Sequence, residues 1–172
     1  MVAQLTREMT GRCRELTRQI NDLERQLRDR VRLLAPRLLA VPGCGVLSAA
    51  VIIGETAGAQ RFRNKDAYAR FTGTAPIPVW SGSTPGKVRL NRGGNRWINC
   101  ALHMIALTQT RGLGPSKDYV GKLTARGKTG VEAMRLLCRR LSDVVYRALI
   151  TDERAAAQSP SELTKPAVLQ AA

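Results

Sequence analysis

The chain has 172 residues, of which 44% are hydrophobic, so it can bury one core but is short for two ordinary domains with a linker. Its formal charge of +15 predicts a polyanionic partner, with nucleic acid ahead of a membrane surface. A solvated surface rich in cations is the plain alternative.

The first segment has the pattern of a long amphipathic helix. Its apolar residues recur every three or four positions, which predicts a coiled-coil or linker helix over residues 1–37. Such a face needs a partner helix, either the other arm of a hairpin or a dimer seam. We expect this helix to pair with a second copy of the chain or with a helix of another protein. The stripe consists of Leu5, Met9, Cys13, Leu16, Ile20, Leu23, Leu27, Val31, Leu34 and Leu38.

A proline and two glycines then predict a tight turn at residues 41–46, followed by a short buried helix over residues 47–53. The order helix, glycine turn, helix is typical of a helix-hairpin-helix unit. In such a unit Gly43 and Gly45 would let backbone N–H groups approach a phosphate. An ordinary turn without a ligand is equally compatible with these residues.

Asn64 is positioned to cap a helix over residues 65–71, and Gly73 to end it. The stretch 74–94 that follows contains three prolines and four glycines, and long loops of this kind are often functional. It carries Ser81, the candidate catalytic nucleophile, with Ser83 as the competing hydroxyl. Guanidinium groups near such a hydroxyl stabilise a pentacovalent phosphate. On local residues alone, Ser81 also fits a simple turn position.

Four basic residues follow this serine and are assigned to phosphate contacts: Lys87, Arg89, Arg92 and Arg96. A helix is predicted over residues 97–109, with His103 off its core face and therefore a weak candidate for a general base. A short helix over 117–123 and a strongly periodic last helix come next. Arg135 and Arg139 on that last helix either bind phosphate or are solvated. From Thr151 onward the composition predicts a disordered tail, residues 151–172.

Several chemistries are poorly supported by the residues present. The four cysteines never form a Cys-x-x-Cys pair, which argues against a zinc site. No secretory pattern and no run of about 18 apolar residues occurs, so we expect a cytoplasmic chain with no membrane partner. The carboxylates between residues 38 and 150 are too scattered for a two-metal nuclease: Glu55, Asp66, Asp118, Glu132 and Asp143.

The order of short motifs across residues 38–150 resembles one family. The motifs are Val41–Gly45, Arg61-Phe62, Tyr68–Pro76, Ser81-Gly82, Arg89–Arg96, Tyr119 and Gly127-Lys128. Together they resemble the C-terminal transposase domain of the insertion-sequence transposases that act as bridge-RNA-guided serine recombinases. The resemblance implies that DNA is the substrate, that a guide RNA is a partner, and that Ser81 joins DNA through a phosphoserine.

The resemblance also implies an N-terminal RuvC-like domain whose Asp/Glu/Asp/Asp set binds Mg²⁺. The sequence does not contain that set, so we expect an N-terminally truncated member with no cofactor of its own, and Mg²⁺ only with the absent domain. The expected fold is mainly α, with a serine-bearing domain at 38–150. The function is then that of a partial transposase, or of a non-catalytic remnant that binds nucleic acid and dimerises.

Overall fold

Helices make up nearly all of the regular structure in the computed structural model, which describes residues 1–79, 82–83, 88–89, 91, 93–112 and 115–158. The mainly α fold is therefore confirmed. The helices are α1 (Val2–Leu34), α2 (Pro36–Leu39), α3 (Val46–Thr56), α4 (Lys65–Phe71), α5 (Arg96–Thr110), α6 (Ser116–Ala125) and α7 (Gly130–Gln158), with a short 3₁₀ helix at Ala59–Arg61. Two short strands, β1 (Ile77–Pro78) and β2 (Val88–Arg89), pair antiparallel.

Helix α1 is long, and most of its residues are exposed. The stripe residues from Leu5 to Leu23 are exposed, whereas Val31 is buried against the compact domain. The helix is interrupted at Ala35, whose φ and ψ of −149° and 62° are not helical, because the proline at position 36 disfavours the helical conformation of the residue before it. Core packing thus begins before the predicted domain boundary at residue 38.

The core forms where α5 packs against α3 on one side and α7 on the other, and α2 and α4 also pack against α7. Helix α5 contributes a continuous buried stripe, and α7 contributes another with helical spacing. Tyr68 of α4 is fully buried, and its hydroxyl lies 3.2 Å from Thr56 Oγ1. The α5 and α7 stripes comprise Ile98, Ala101, Leu102, Ile105 and Ala106, and Ala133, Leu137, Leu141, Val145 and Leu149.

Two helix starts follow the capping residues in the sequence. The Asn64 side chain accepts hydrogen bonds from Asp66 N and Ala67 N, at 3.1 and 2.9 Å, so the predicted cap of α4 is confirmed. Before α7, Thr129 and Glu132 form a reciprocal capping box: Glu132 N donates to Thr129 Oγ1, and Thr129 N donates to the Glu132 carboxylate. The Thr129 N–H and the Thr129 hydroxyl both donate to the Glu132 carboxylate, and these two bonds hold the pKa of Glu132 below its ordinary value.

The start predicted for the disordered tail is corrected by α7, which continues through Gln158. Residues 151–158 stay helical because two of their side chains bind backbone N–H groups of distant segments. Asp152 accepts from Arg37 N and Leu38 N at the start of α2, and Glu153 accepts from Ala59 N and Gln60 N. The remainder of the predicted tail, residues 159–172, lies outside the described residues. No helix in the described part of the chain is both long and apolar enough to cross a membrane.

Candidate nucleic-acid interface

Two glycines in close contact lie where the stretch 74–94 begins and ends. Gly73 follows α4 with φ +74°, and Gly94 precedes α5 with φ +101°. A Cβ at Gly94 would lie 2.5 Å from Gly73 N, so neither backbone leaves room for a side chain. Asn95 N donates to Phe71 O at 2.7 Å beside this contact. The two ends of the stretch 74–94 are therefore held together.

Asn95 then starts α5 and ties it to α3. Its Oδ1 accepts hydrogen bonds from Trp97 N and Ile98 N at 2.9 and 3.0 Å, and its Nδ2 donates to Glu55 Oε2 at 2.6 Å. Arg96, assigned to phosphate contact, is the first residue of the helix and is exposed. The carboxylate of Glu55 is engaged by this amide.

The strand pair β1–β2 rises from the same base. Ile77 pairs with Arg89, and Pro78 pairs with Val88, so Arg89 is positioned at the foot of the segment that carries the serine. The Arg89 side chain is exposed. Three of the predicted site residues, Ser81, Lys87 and Arg92, lie outside the described residues.

A cavity of about 140 Å³, here called the cationic cavity, connects this strand pair to α7. Arg89 comes from β2, Lys128 from the turn before α7, and Arg135 from α7 itself. None of the three forms an ion pair with another described residue. The other lining residues are Thr74, Ala75, Pro76, Asn91, Glu132, Leu136 and Arg139. Unpaired cations from three segments thus face one small space.

Arg139 also lines the cationic cavity, but its charge is already paired. Its guanidinium binds Asp143 one turn along α7 and Asp66 Oδ1 of α4 at 2.6 Å, while Lys65 Nζ lies 3.8 Å from Asp143. The Arg139 side chain is 22% exposed. This network links α4 to α7. Arg139 therefore has a structural role, which the sequence did not indicate.

The two glycines of the predicted helix-hairpin-helix turn have different surroundings. Gly43 has φ +78°, and a Cβ there would lie 3.1 Å from Thr108 Cβ, so packing against α5 already accounts for a glycine. Gly45 is exposed at the N-cap of α3, with no atom within 4 Å of a Cβ placed on it. Phosphate contact at this turn stays a prediction.

A second cavity, of about 600 Å³, lies beside Gly94 and the start of α5. Its lining is polar and includes Asn91, Asn95, Arg96 and Asn99. Because Asn91 also lines the cationic cavity, the two spaces adjoin. Together they make a polar and basic surface around the base of the serine-bearing stretch.

The carboxylates described here do not fit a Mg²⁺ site, which needs several converging oxygen ligands. Among the described residues, no group of three or more His, Cys, Asp and Glu side chains is placed to hold a metal. Most of the acids in the compact domain instead accept hydrogen bonds from nearby N–H groups. Those so engaged are Glu55, Asp66, Glu132, Asp143, Asp152 and Glu153.

Comparison with known proteins identifies the family. The model of the IS116/IS110/IS902 transposase family matches residues 35–120, which is half of the chain and contains the whole 74–94 stretch. The chain belongs to the IS116/IS110/IS902 transposase family. The matched segment of this transposase-family chain runs from Ala35, where α1 is interrupted, into α6.

Three curated relatives come from insertion elements of actinobacterial sources. The chain is 31% identical to the 43.6 kDa protein of insertion element IS110 from Streptomyces coelicolor over 67% of its own length. It is 30% identical to the 44.8 kDa protein of IS116 from Streptomyces clavuligerus over 70%, and 30% identical to the 42 kDa protein of IS900 from Mycobacterium paratuberculosis over 65%. The chain spans 29%, 30% and 28% of these relatives' lengths.

Sequence reasoning did not single out Lys128 of this transposase-family chain as a candidate for binding. Lys128 and Arg135 lie beyond the segment that the family model matches, so their relation to Arg89 depends on how α7 packs. A weak signal was available, since residues 111–147 contain nine basic and three acidic side chains. His103, predicted to lie off the core face of α5, is exposed, as expected.

Proposed function

We propose that this chain carries the DNA-joining part of transposition, with Ser81 as the nucleophile that attacks a DNA phosphodiester. The observation that carries the proposal is the cationic cavity at the foot of the serine-bearing segment in a member of a transposase family. Arg89 lines that cavity from the strand that pairs with Ile77 and Pro78, and Ser81 follows Pro78 by three residues in the sequence.

The proposed step is a transfer of the phosphoryl group to the serine. Ser81 Oγ forms a bond to phosphorus and loses its proton, while the bond from phosphorus to one deoxyribose oxygen breaks and that oxygen leaves as a hydroxyl. Negative charge grows on the phosphate oxygens in the transition state. Fixed cations such as Arg89 and Arg135 would lower the barrier by neutralising that charge. The covalent phosphoserine would keep the cleaved strand attached.

Binding of DNA is proposed to rest mainly on phosphate contacts. Arg89, Arg96 and Arg135 have exposed side chains, and Lys128 joins them at the cationic cavity. Lys87, Arg92 and the Gly43–Gly45 turn extend the same assignment from the sequence. Each neutralised phosphate contributes a slope of about −0.9 to the dependence of log affinity on log salt for duplex DNA. A steep loss of affinity with salt is therefore expected.

A second candidate is a non-catalytic nucleic-acid-binding and dimerisation protein derived from a transposase. Two observations favour it: most of the described carboxylates of the compact domain are engaged by N–H donors, and the apolar stripe of α1 from Leu5 to Leu23 is exposed. In this case the chain would pair through α1 with another copy or with a full-length transposase. A guide RNA is a further proposed partner under either function.

The deciding experiment mixes the chain with a full-length relative and a labelled duplex carrying an element end. Covalent protein–DNA adducts are then resolved on a denaturing gel, where the 18.8 kDa mass of this chain separates its adduct from that of the relative. The proposed function predicts an adduct that contains this chain and that is absent with Ser81→Ala.

Ser83→Ala is the matched control, since Ser83 carries the same hydroxyl two residues further along. It should retain the adduct. An adduct that persists in Ser81→Ala and disappears in Ser83→Ala would move the nucleophile to Ser83. Salt-sensitive DNA binding without any adduct would favour the non-catalytic function.

A further inference from the structure

A third cavity, of about 420 Å³, lies between α5 and the first turns of α7. We call it the interhelical cavity. Asn99 and His103, one turn apart on α5, line one side, and Val131, Met134 and Cys138 line the other side on α7. Gly73 and Thr74 close one end. The volume is in the range of small-ligand sites in proteins.

The α7 side of this cavity is apolar apart from Arg135. Val131 is 62% exposed although it is a large aliphatic residue, and Met134 and Cys138 are half-buried. Burial raises the pKa of the Cys138 thiol to about 11, so the thiol is neutral at pH 7 and adds to the apolar wall. Gly130 also lines the cavity, and no atom lies within 4 Å of where its Cβ would be. The surface suits a flat, weakly polar ring.

The α5 side supplies the polar groups. Asn99 Nδ2 donates to Thr72 O at 3.0 Å, which fixes the amide, and Asn99 Oδ1 accepts no hydrogen bond from another described residue. His103 is exposed and brings one ring nitrogen that donates and one that accepts when the imidazole is neutral. An apolar wall opposite a few hydrogen-bonding groups is the arrangement that binds a nucleobase.

The interhelical cavity also adjoins the cationic cavity. Thr74 and Arg135 line both, and Arg89 and Lys128 stand on the far side without ion partners among the described residues. A phosphate bound by these cations would have its own sugar and base within reach of the neighbouring apolar wall. The cationic cavity and the apolar wall therefore lie next to each other, as the phosphate and the base do in a nucleotide.

We infer that the interhelical cavity binds the unstacked base of one unpaired nucleotide in a DNA strand whose phosphate occupies the cationic cavity. This inference rests on the proposed function for its choice of DNA. Removing a base from a duplex costs free energy, so the site favours single-stranded or distorted DNA over a perfect duplex. The base contacts add affinity that does not depend on salt, in contrast to the phosphate contacts.

The test compares two fluorescein-labelled single-stranded DNA 12-mers by fluorescence anisotropy. One has a mixed sequence, and the other has an abasic sugar at every position with every phosphate retained. We expect the chain to bind the abasic strand about tenfold more weakly. Val131→Trp fills the cavity and should bind both strands with the lower affinity, whereas Val131→Ala leaves it open and should retain the preference.

Leu33→Trp is the matched control, because Leu33 on α1 is 56% exposed and lines none of the three cavities. It should bind like the wild type, and circular dichroism should show that both tryptophan variants keep their helices. Equal, salt-sensitive binding of the two strands by the wild type would overturn the base site and leave the proposed function standing. That comparison needs no variant.

Two other outcomes concern the nucleic acid itself. Binding of neither strand at about 50 mM salt, where phosphate contacts are strong, would contradict the proposed function and this inference together. An RNA 12-mer of the same sequence distinguishes the source of the nucleotide. If RNA binds about tenfold more tightly than DNA and its binding alone responds to Val131→Trp, the assignment to DNA is overturned.

Discussion

The carboxylate of Asp152 accepts a hydrogen bond from the backbone N–H of Arg37, at 3.1 Å, across 115 residues of sequence. A second bond, from Leu38 N at 3.3 Å, is fully buried. Asp152→Ala would leave these donors without a partner, whereas Asp152→Asn keeps an acceptor oxygen. We expect the alanine variant to be less stable than the asparagine variant by about 1–3 kcal/mol in urea unfolding followed by circular dichroism. Equal stability would show that solvent replaces the cap.

The same carboxyl predicts a pH effect. Burial raises the pKa of Asp152 above its ordinary value in spite of the two backbone donors. Its contribution to the free energy of unfolding is therefore full below the ordinary Asp pKa of about 3.9 and is lost as pH rises through the raised pKa. Relative to the wild type, Asp152→Asn should gain stability between pH 4 and pH 7. A difference that does not change with pH would contradict the shift.

Gly94→Ala tests the contact that closes the base of the serine-bearing stretch. The new Cβ would lie 2.5 Å from Gly73 N and 2.7 Å from Gly73 Cα, at a φ of +101°. We expect a loss of at least about 2 kcal/mol in chemical unfolding. Gly121→Ala in α6, with no atom within 4 Å of its Cβ, is the control and should gain about 0.5–1 kcal/mol. Similar effects of the two substitutions would argue against the close approach.

The four cysteines should divide into two classes towards a thiol reagent. Cys13 and Cys100 are exposed, whereas burial raises the pKa of Cys44 and of Cys138 to about 11 in each case. Because the thiolate is the reactive species, two thiols should react quickly with dithionitrobenzoate at pH 8 and two slowly. All four should react at once in strong denaturant. Four equal rates in the native protein would contradict the burial of Cys44 and Cys138.

Arg135 and Arg139 should respond differently to truncation. Arg135 is exposed and forms no ion pair within the described part of the chain, so Arg135→Ala should weaken DNA binding, reduce the salt slope by about one and leave stability unchanged. Arg139→Ala removes the ion pairs to Asp143 and Asp66 that link α4 to α7 and leaves Asp143 with Lys65 alone, so its main effect should be a lower free energy of unfolding. Anisotropy titrations at several salt concentrations, together with urea unfolding, separate the two. The opposite result, in which Arg139→Ala weakens DNA binding and Arg135→Ala lowers stability, would contradict these assignments.

The exposed stripe of α1 predicts self-association. Leu16→Glu combined with Leu23→Glu places two charges on that stripe, and sedimentation should show a shift towards the monomer. Gln19→Glu combined with Gln26→Glu adds the same charge at the same spacing on positions outside the stripe, and should leave the assembly unchanged. A wild-type chain that is monomeric at all concentrations would refute this role for α1.

Local sequence patterns predicted the elements whose causes are local. The α4 bounds follow from Asn64 and Gly73, and the buried faces of α5 and α7 follow from helical periodicity. The extension of α7 through Gln158 was missed because the side chains that hold it, such as Asp152, bind a segment more than 100 residues away. Composition alone could not indicate such partners.

The candidate site divides in the same way. The basic residues of the 74–94 stretch stand out in the sequence, and Arg89 lies at the cationic cavity. The sequence analysis gave Lys128 no binding role and did not predict the ion pairs of Arg139, because both depend on how α7 lies against α4 and β2. Ser81 remains a prediction from the sequence and from its resemblance to a family.

Helix α1 has one further consequence for how two copies would hold DNA. Its 33 residues, at 1.5 Å per residue, span about 50 Å. An antiparallel pair of such helices would place two compact domains at its opposite ends, a separation of about 15 base pairs along a duplex. A parallel pair would instead bring both serine-bearing segments to the same end. The orientation of one helix pair would therefore set the spacing between the two strand-joining sites.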